Sequence, residues 1–67
     1  MQLSARNQLT GKITDVKTGP ISTEITMNIN GVDIVSSITT ASAESLNLKV
    51  DDEATAVIKA SSIMIAK

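Results

Sequence analysis

The 67-residue sequence contains no cysteine, no histidine and no aromatic residue. Without cysteine the chain can form no disulfide bond, and without either residue it offers no thiolate or imidazole ligand to a metal ion. The common pairs of catalytic nucleophile and base also depend on histidine or cysteine. The composition therefore predicts a protein that is not an enzyme and that holds no metal cation.

The absence of phenylalanine, tyrosine and tryptophan limits the core, because no large side chain is present to fill it. A chain of this length buries only about 60% of the surface that its unfolded form exposes. Nevertheless, 42% of the residues are apolar. Because small apolar chains without disulfides or metals gain stability from oligomerisation, we expect a homo-oligomer.

An excess of charge of either sign is also missing, since six basic residues face seven acidic ones and the net charge is −1. This balance argues against nucleic acid as a partner, because proteins that bind polyanions carry a basic patch. No segment approaches the roughly 20 apolar residues of a membrane-spanning helix, and no signal peptide is recognisable. We expect a cytoplasmic protein without a membrane partner.

The clearest positive pattern is the alternation of apolar and polar residues, which predicts β-strands. One strand is expected over residues 8–14, with either a bulge or the strand end where Val16 breaks the alternation. A second strand covers residues 21–29 and a third covers residues 32–38. The Asn-Gly pair at residues 30–31 is typical of a two-residue hairpin turn, which needs positive φ at both positions.

Small residues after the third strand predict a helix of about two turns, with Thr39 or Thr40 as its N-cap and its end near Asn47. Two more strands are expected at residues 54–60 and 63–65. Five short strands with one helix between the third and the fourth are the layout of an OB-type Greek-key barrel.

The predicted fold class is therefore all-β with one short helix, an OB-like five-stranded Greek-key barrel in a single domain over residues 1–67. A small SH3-like barrel is the alternative fold, although the helix argues against it. An OB-type barrel also raises single-stranded nucleic acid as a ligand. OB folds bind it through stacked aromatic side chains and a basic groove, and the composition supports neither.

Three stretches carry the donors that a small oxyanion needs. Residues 4–8, with the letters SARNQ, contain the only arginine, whose planar fork of N–H groups matches a tetrahedral oxyanion. Residues 38–42 offer hydroxyls and unpaired N–H groups at the predicted helix start, and residues 58–61 surround Lys59. Each stretch also has a plainer interpretation, as a surface charge, a helix cap and a solvated lysine respectively. Together they favour an anion-binding protein.

The chain resembles the molbindin family of small molybdate-binding proteins, whose modules are called Mop domains. The residues that carry the resemblance are the SARNQ run with Gly11, Ile38 with Thr39, and Lys59 with Ala60. The resemblance covers essentially the whole chain. It implies an OB-like fold, a hexamer built as a trimer of dimers, and intracellular binding of molybdate or tungstate without an organic cofactor. In that family the oxyanion lies between subunits.

The resemblance also implies which residues bind the oxyanion, namely Ser4, Arg6, Thr39, Ser42, Lys59 and Ala60. The two cations would supply charge, the hydroxyls would donate hydrogen bonds, and Ala60 would contribute its backbone N–H. A second class of oxyanion site is placed only as a guess, at the turn of residues 19–22. The expected role is storage or buffering of the oxyanion. The alternative is a structural oligomerisation module of the same fold that has lost its ligand.

Overall fold

The computed structural model describes residues 5–67, which form a single antiparallel sheet with one short helix. The elements are β1 (Asn7–Thr18), β2 (Ser22–Ile29), β3 (Val32–Thr39), α1 (Thr40–Ser45), β4 (Glu53–Ile58) and a 3-10 turn (Ala60–Ser62). The strands lie in the order β3-β2-β1-β4. Three consecutive strands and a fourth that returns beside the first make a Greek-key arrangement. The mainly β class with one helix is confirmed.

The core lies on one face of the sheet and is built from aliphatic side chains. Its buried members are Ile13, Ile25, Met27 and Ile29, and half-buried residues surround them, namely Val16, Ile34, Ile38, Leu48, Ala54 and Ala56. Alternate residues of β2 therefore point inward, as the alternation predicts. The small number of buried side chains agrees with the thin core expected from the composition.

The hairpin between β2 and β3 has the predicted two-residue turn. Ile29 pairs with Val32, and φ is 52° at Asn30 and 87° at Gly31. Positive φ at both central residues is the requirement of a type I′ turn, whose twist matches that of the flanking strands. The Asn28 side chain supports the turn, because its Oδ1 accepts the N–H of Gly31 at 3.2 Å.

The first strand changes partner halfway along its length. Residues 7–12 pair with β4 and residues 12–18 pair with β2. The register against β2 shifts between Ile13 and Asp15, so a bulge is present with Thr14 as the extra residue, just before the expected position. The alternative, a strand that ends near Val16, is wrong, because β1 continues to Thr18. Before the change of partner, residues 7–11 of β1 and 54–58 of β4 form a two-stranded extension, which we call the arm.

Gly11 stands where the arm joins the rest of the sheet. A Cβ atom at this position would collide with the backbone carbonyl of Asn28 on β2. The end of β2 therefore passes against β1 at a distance that only glycine permits. Further along the arm, the hydroxyls of Thr10 and Thr55 lie 3.0 Å apart across the ladder, a cross-strand pair that stabilises the two strands.

The helix begins as predicted but is shorter than two full turns. Thr39 is the N-cap, and its side chain accepts the N–H of Ser42. After Ser45 the N–H of Asn47 donates to the carbonyl of Glu44, and the N–H of Leu48 to that of Ala43. These two bonds, with φ of 52° at Asn47, form a Schellman motif that ends the helix. Within residues 5–67 no helix has the length and apolar character needed to cross a membrane.

A chain of hydroxyl groups attaches the helix to the turn between β1 and β2. The Thr40 hydroxyl donates to the carbonyl of Gly19 at 2.6 Å, so the Thr23 hydroxyl, 2.8 Å away, must be the donor to Thr40. Thr23 is completely buried. The N–H of Thr40 also donates to the carbonyl of Ile21 at 2.8 Å. The start of α1 is thereby fixed against the sheet.

The predicted fifth strand is wrong for the described chain. The fourth strand ends at Ile58 rather than at residue 60, because the chain then enters the 3-10 turn. Residues 63–65 pair with no strand, and the side chains of Met64 and Ile65 are 93% and 90% exposed. This short apolar run favours an extended backbone, but a strand also needs a neighbouring edge. Residues 5–67 therefore form a four-stranded sheet and not a closed five-stranded barrel.

We expect Gly31→Val to destabilise the hairpin, because a β-branched residue tolerates positive φ poorly. The cost should be about 1–3 kcal/mol, measured as a lower midpoint of denaturant unfolding at one fixed protein concentration. The control is Gly31→Asn, which tolerates this backbone conformation and should lose much less. Equal midpoints for the two variants would contradict the turn assignment.

We expect Thr40→Val to destabilise the fold by about 1–3 kcal/mol, because it leaves the buried hydroxyl of Thr23 and the carbonyl of Gly19 without their partner. Thr40→Ser retains the hydroxyl and should restore most of the loss. Thermal unfolding of the three proteins at equal concentration measures the difference. A valine variant as stable as the serine variant would show that the hydroxyl chain contributes nothing.

Candidate functional site

Three of the predicted oxyanion-binding residues lie together at the tip of the arm. Asn7 and Ile58 form the last pair of the β1–β4 ladder, so Arg6 precedes it on one strand and Lys59 follows it on the other. Both line an open groove of about 600 Å³, whose lining residues are Ala5, Arg6, Val57, Lys59, Ala60 and Ser61. The antiparallel pairing thus brings together two stretches that are more than fifty positions apart in the sequence.

The groove lies in the positively charged part of an otherwise acidic chain. All seven carboxylates fall between Asp15 and Glu53 in the sequence, whereas the residues outside that interval carry four cations and no acid. None of the described residues that line the groove is acidic, and Arg6 and Lys59 are both exposed. Charge of one sign in a cleft attracts small ions of the opposite sign. The groove can therefore hold an anion although the net charge is −1.

Ser4, which the resemblance assigns to the same site, lies outside the described residues. Ala5, its neighbour in the sequence, lines the groove beside Arg6. The carbonyl of Ala5 accepts a hydrogen bond from the side-chain amide of Gln8 at 3.0 Å. This contact connects the residues before β1 with the first residues of that strand.

Thr39 and Ser42 form a separate pair at the start of α1. The Thr39 hydroxyl accepts the N–H of Ser42 at 3.1 Å and donates to the Ser42 hydroxyl at 2.8 Å. The helix-capping interpretation of Thr39 is therefore realised, and its hydroxyl hydrogen is engaged. Ser42 is exposed, and its own hydroxyl hydrogen remains free to donate. Of the pair, Ser42 is the residue that can donate directly to a ligand.

The two groups of predicted residues lie at opposite ends of the sheet. Thr39 pairs with Ser22 at the start of β2, next to the pair of Thr18 with Thr23 at the end of β1. Arg6 precedes the start of β1, twelve residues from Thr18. Neither Thr39 nor Ser42 is among the residues that line the groove with Arg6 and Lys59. The two groups of residues therefore do not line one pocket within the described chain.

A smaller cavity of about 160 Å³ lies between α1 and the sheet. It is lined by Val16, Thr18, Thr23, Thr40, Ala43, Glu44, Asn47, Leu48 and Lys49. The turn of residues 19–22, guessed as a second oxyanion site, lies next to this cavity. The N–H of Gly19 donates to the carbonyl of Ser22, and the carbonyls of Gly19 and Ile21 both accept from Thr40. These contacts support the start of the helix, and the side chain of Ser22 is exposed.

Sequence reasoning did not assign two features of these sites. Ser61 lines the arm groove beside Lys59, and it belongs to the donor stretch of residues 58–61, although the resemblance gives it no role in binding. The hydroxyl chain from Thr23 through Thr40 has no sequence signal, because Thr23 occupies an apolar position in the alternation of β2. Only folding brings the hydroxyl of Thr40 beside that of Thr23.

Comparison with known proteins gives the family. A family model described as the TOBE domain matches residues 3–65. The molybdenum-pterin-binding protein 3 of Clostridium pasteurianum is 47% identical over 97% of this chain and 97% of its own length. The molybdenum transport protein ModE of Herbaspirillum seropedicae is 41% identical over 97% of this chain, which spans only 24% of that protein.

Solved structures agree with the sequence comparison. The structure of a molybdate-binding protein from Sporomusa ovata superimposes with a TM-score of 0.96 at 31% identity, and each chain is covered completely. The fold, the family model and the full-length relative converge on one group of proteins. The chain belongs to the TOBE-domain family, as a member of its molbindin, or Mop-type, branch.

Proposed function

We propose that the protein binds molybdate or tungstate and has no enzymatic activity. The observation that carries the proposal is the arm groove, which Arg6 and Lys59 line without a carboxylate among the described lining residues. The relatives supply the chemical class of the anion, since their names refer to molybdate and to molybdenum-pterin. A tetrahedral dianion suits two neighbouring cations that donate charge-assisted hydrogen bonds.

The proposed ligand set supplies hydrogen-bond donors. Its donors are Ser4, Arg6, Ser42, Lys59 and the backbone N–H of Ala60, and Thr39 belongs to the set because its hydroxyl holds that of Ser42, whose own hydrogen is free to donate. A fully ionised oxyanion only accepts hydrogen bonds, so these donors match it. Phosphate carries a proton at neutral pH, and donors leave that proton without an acceptor. We therefore expect discrimination against phosphate, whereas sulfate can be excluded only by the size of the cavity.

We further propose that each site is shared between subunits. The position of Arg6 and Thr39 near opposite ends of β1 supports this, because Thr39 does not line the groove of its own chain and would reach the ion where the arm of one chain meets the helix start of another. The exposed apolar side chains give the chains a reason to associate, among them Leu9 and Val57 on the arm and residues 63–65 beyond it. The assembly we propose is the hexamer that the resemblance implies, a trimer of dimers of OB-like subunits.

The names of several relatives also include a pterin. We propose that this chain binds the free oxyanion instead of a molybdenum-pterin. Flat heteroaromatic rings are recognised largely by stacking on aromatic side chains, and the chain contains no aromatic residue. Calorimetric titration with molybdate alone distinguishes the two ligands, since a protein specific for the pterin would give no heat of binding.

The proposed role is intracellular storage or buffering of the oxyanion, without a nucleic-acid or membrane partner. The alternative is an oligomerisation module of the same fold that has lost its ligand. The two cations in a groove without acidic lining residues favour the binding protein, because an assembly module has no use for uncompensated charge at this position. Titration with molybdate, tungstate and sulfate separates the alternatives.

We expect the protein to be an oligomer at micromolar concentration, with a mass near six times the 7.0 kDa of one chain. The physical reason is that the thin aliphatic core and the exposed apolar residues do not suffice for an independent monomer. Static light scattering measures the mass. A stable, folded monomer would contradict both the assembly and the shared site.

We expect Arg6→Ala to weaken molybdate binding by about 10- to 100-fold, because a charge-assisted hydrogen bond contributes roughly 1.5–3 kcal/mol. Arg6→Lys should recover only part of this loss, since a point charge replaces a planar fork of donors. Calorimetric titration with sodium molybdate measures each dissociation constant.

The matched control for Arg6 is Lys12→Ala. Lys12 is an exposed cation on β1, the strand that Arg6 precedes, but it lies beyond the arm and does not line the groove. Its removal changes the net charge equally and should leave the affinity nearly unaltered. The assignment of the site fails if the arginine variant binds like the parent while the lysine variant loses affinity.

A further inference from the structure

The arm groove contains a hydroxyl group that the proposed ligand set leaves out. Ser61 lines the groove with Arg6 and Lys59, and its side chain is exposed. A serine hydroxyl adds a neutral donor where the other side-chain donors are charged. The groove thus presents two cations and one hydroxyl from described residues, which is a common combination for binding a small oxyanion.

The 3-10 turn accounts for the position of Ser61. Lys59 still has an extended backbone, with φ of −63° and ψ of 132°, and the chain then turns through Ala60–Ser62. The turn is closed by the N–H of Ser62, which donates to the carbonyl of Lys59 at 2.9 Å. A continued β4 would have carried Ser61 further away along the strand direction, at about 3.3 Å per residue. The turn retains it beside Lys59.

The next residue is also a serine but has a different position. Ser62 belongs to the same turn and is equally exposed. It does not line the groove, and its N–H is engaged in closing the turn. Two adjacent serines of the same turn therefore differ in their access to the groove, which provides a closely matched comparison.

We propose that Ser61 is a further ligand of the oxyanion, donating its hydroxyl hydrogen to an anion held by Arg6 and Lys59. This inference rests on the proposed function of the groove. Because the Ser61 hydroxyl is neutral, its contribution does not depend on long-range charge and is little affected by added salt. The contribution of Arg6 includes a charge term that salt screens. The two residues can therefore be distinguished by ionic strength as well as by affinity.

The experiment is calorimetric titration of sodium molybdate into the intact oligomer, in the parent, in Arg6→Ala and in three variants of the two serines. We expect Ser61→Ala to weaken binding by about 3- to 10-fold, the usual range for one neutral hydrogen bond. Ser61→Thr retains the hydroxyl and should restore the affinity. Ser62→Ala should change the affinity by less than about twofold. Light scattering of each variant verifies that the oligomer is intact.

The titrations are repeated at low and at high salt. We expect the loss in Ser61→Ala to be the same at both, whereas the loss in Arg6→Ala shrinks as salt increases. Equal losses in Ser61→Ala and Ser62→Ala would overturn the inference, because they would reflect the turn and not the hydroxyl.

The outcome for Arg6 separates this inference from the proposed function. If Arg6→Ala loses affinity and Ser61→Ala does not, the ligand role of Ser61 is wrong and the arm groove remains the binding site. If both variants bind like the parent, the groove is not the oxyanion site and both proposals fail. Loss in both, with recovery in Ser61→Thr, supports the inference.

Discussion

The sheet depends on the way Ile13 joins its two ladders. The Ile13 side chain is completely buried, and its backbone bonds to the turn before β4, since its N–H donates to Asp52 at 2.9 Å and its carbonyl accepts from Asp51 at 2.8 Å. The bulge at Thr14 follows immediately, and beyond it β1 belongs to the ladder with β2. One residue thus fixes the return of β4, the centre of the core and the direction in which the arm projects.

Features governed by neighbours in the sequence could be predicted, because their physics is local. The Asn30–Gly31 turn needs only a backbone that accepts positive φ, and the cap at Thr39 needs only a hydroxyl three residues before an N–H. The strand expected at residues 63–65 failed for the opposite reason. A short apolar run with two isoleucines favours an extended chain, but pairing depends on an edge supplied from elsewhere, which the sequence pattern does not reveal.

The candidate site shows the same division between local and long-range information. Arg6 and Lys59 could each be named from their residue type as candidate hydrogen-bond donors to an anion. The β1–β4 register then brings the two residues to one groove. The sequence pattern could not predict that Thr39 and Ser42 lie at the far end of the sheet, because this follows from three successive strand pairings. The 3-10 turn that retains Ser61 beside Lys59 has no periodic signal either.

In the arm, the described chain is held together by one ladder only, the pairing of β1 with β4. None of the buried residues among 5–67 belongs to the arm. They are Ile13 on β1 beyond the arm, Ala43 on α1, and Thr23, Ile25, Met27 and Ile29 on β2. Segments with few buried apolar contacts open locally at a lower free energy than the whole domain, and their amide hydrogens exchange sooner. An anion in the groove and a second chain against the arm would both favour the state in which the two strands of the arm are paired. Occupancy and association would then be linked equilibria, each strengthening the other by the same factor.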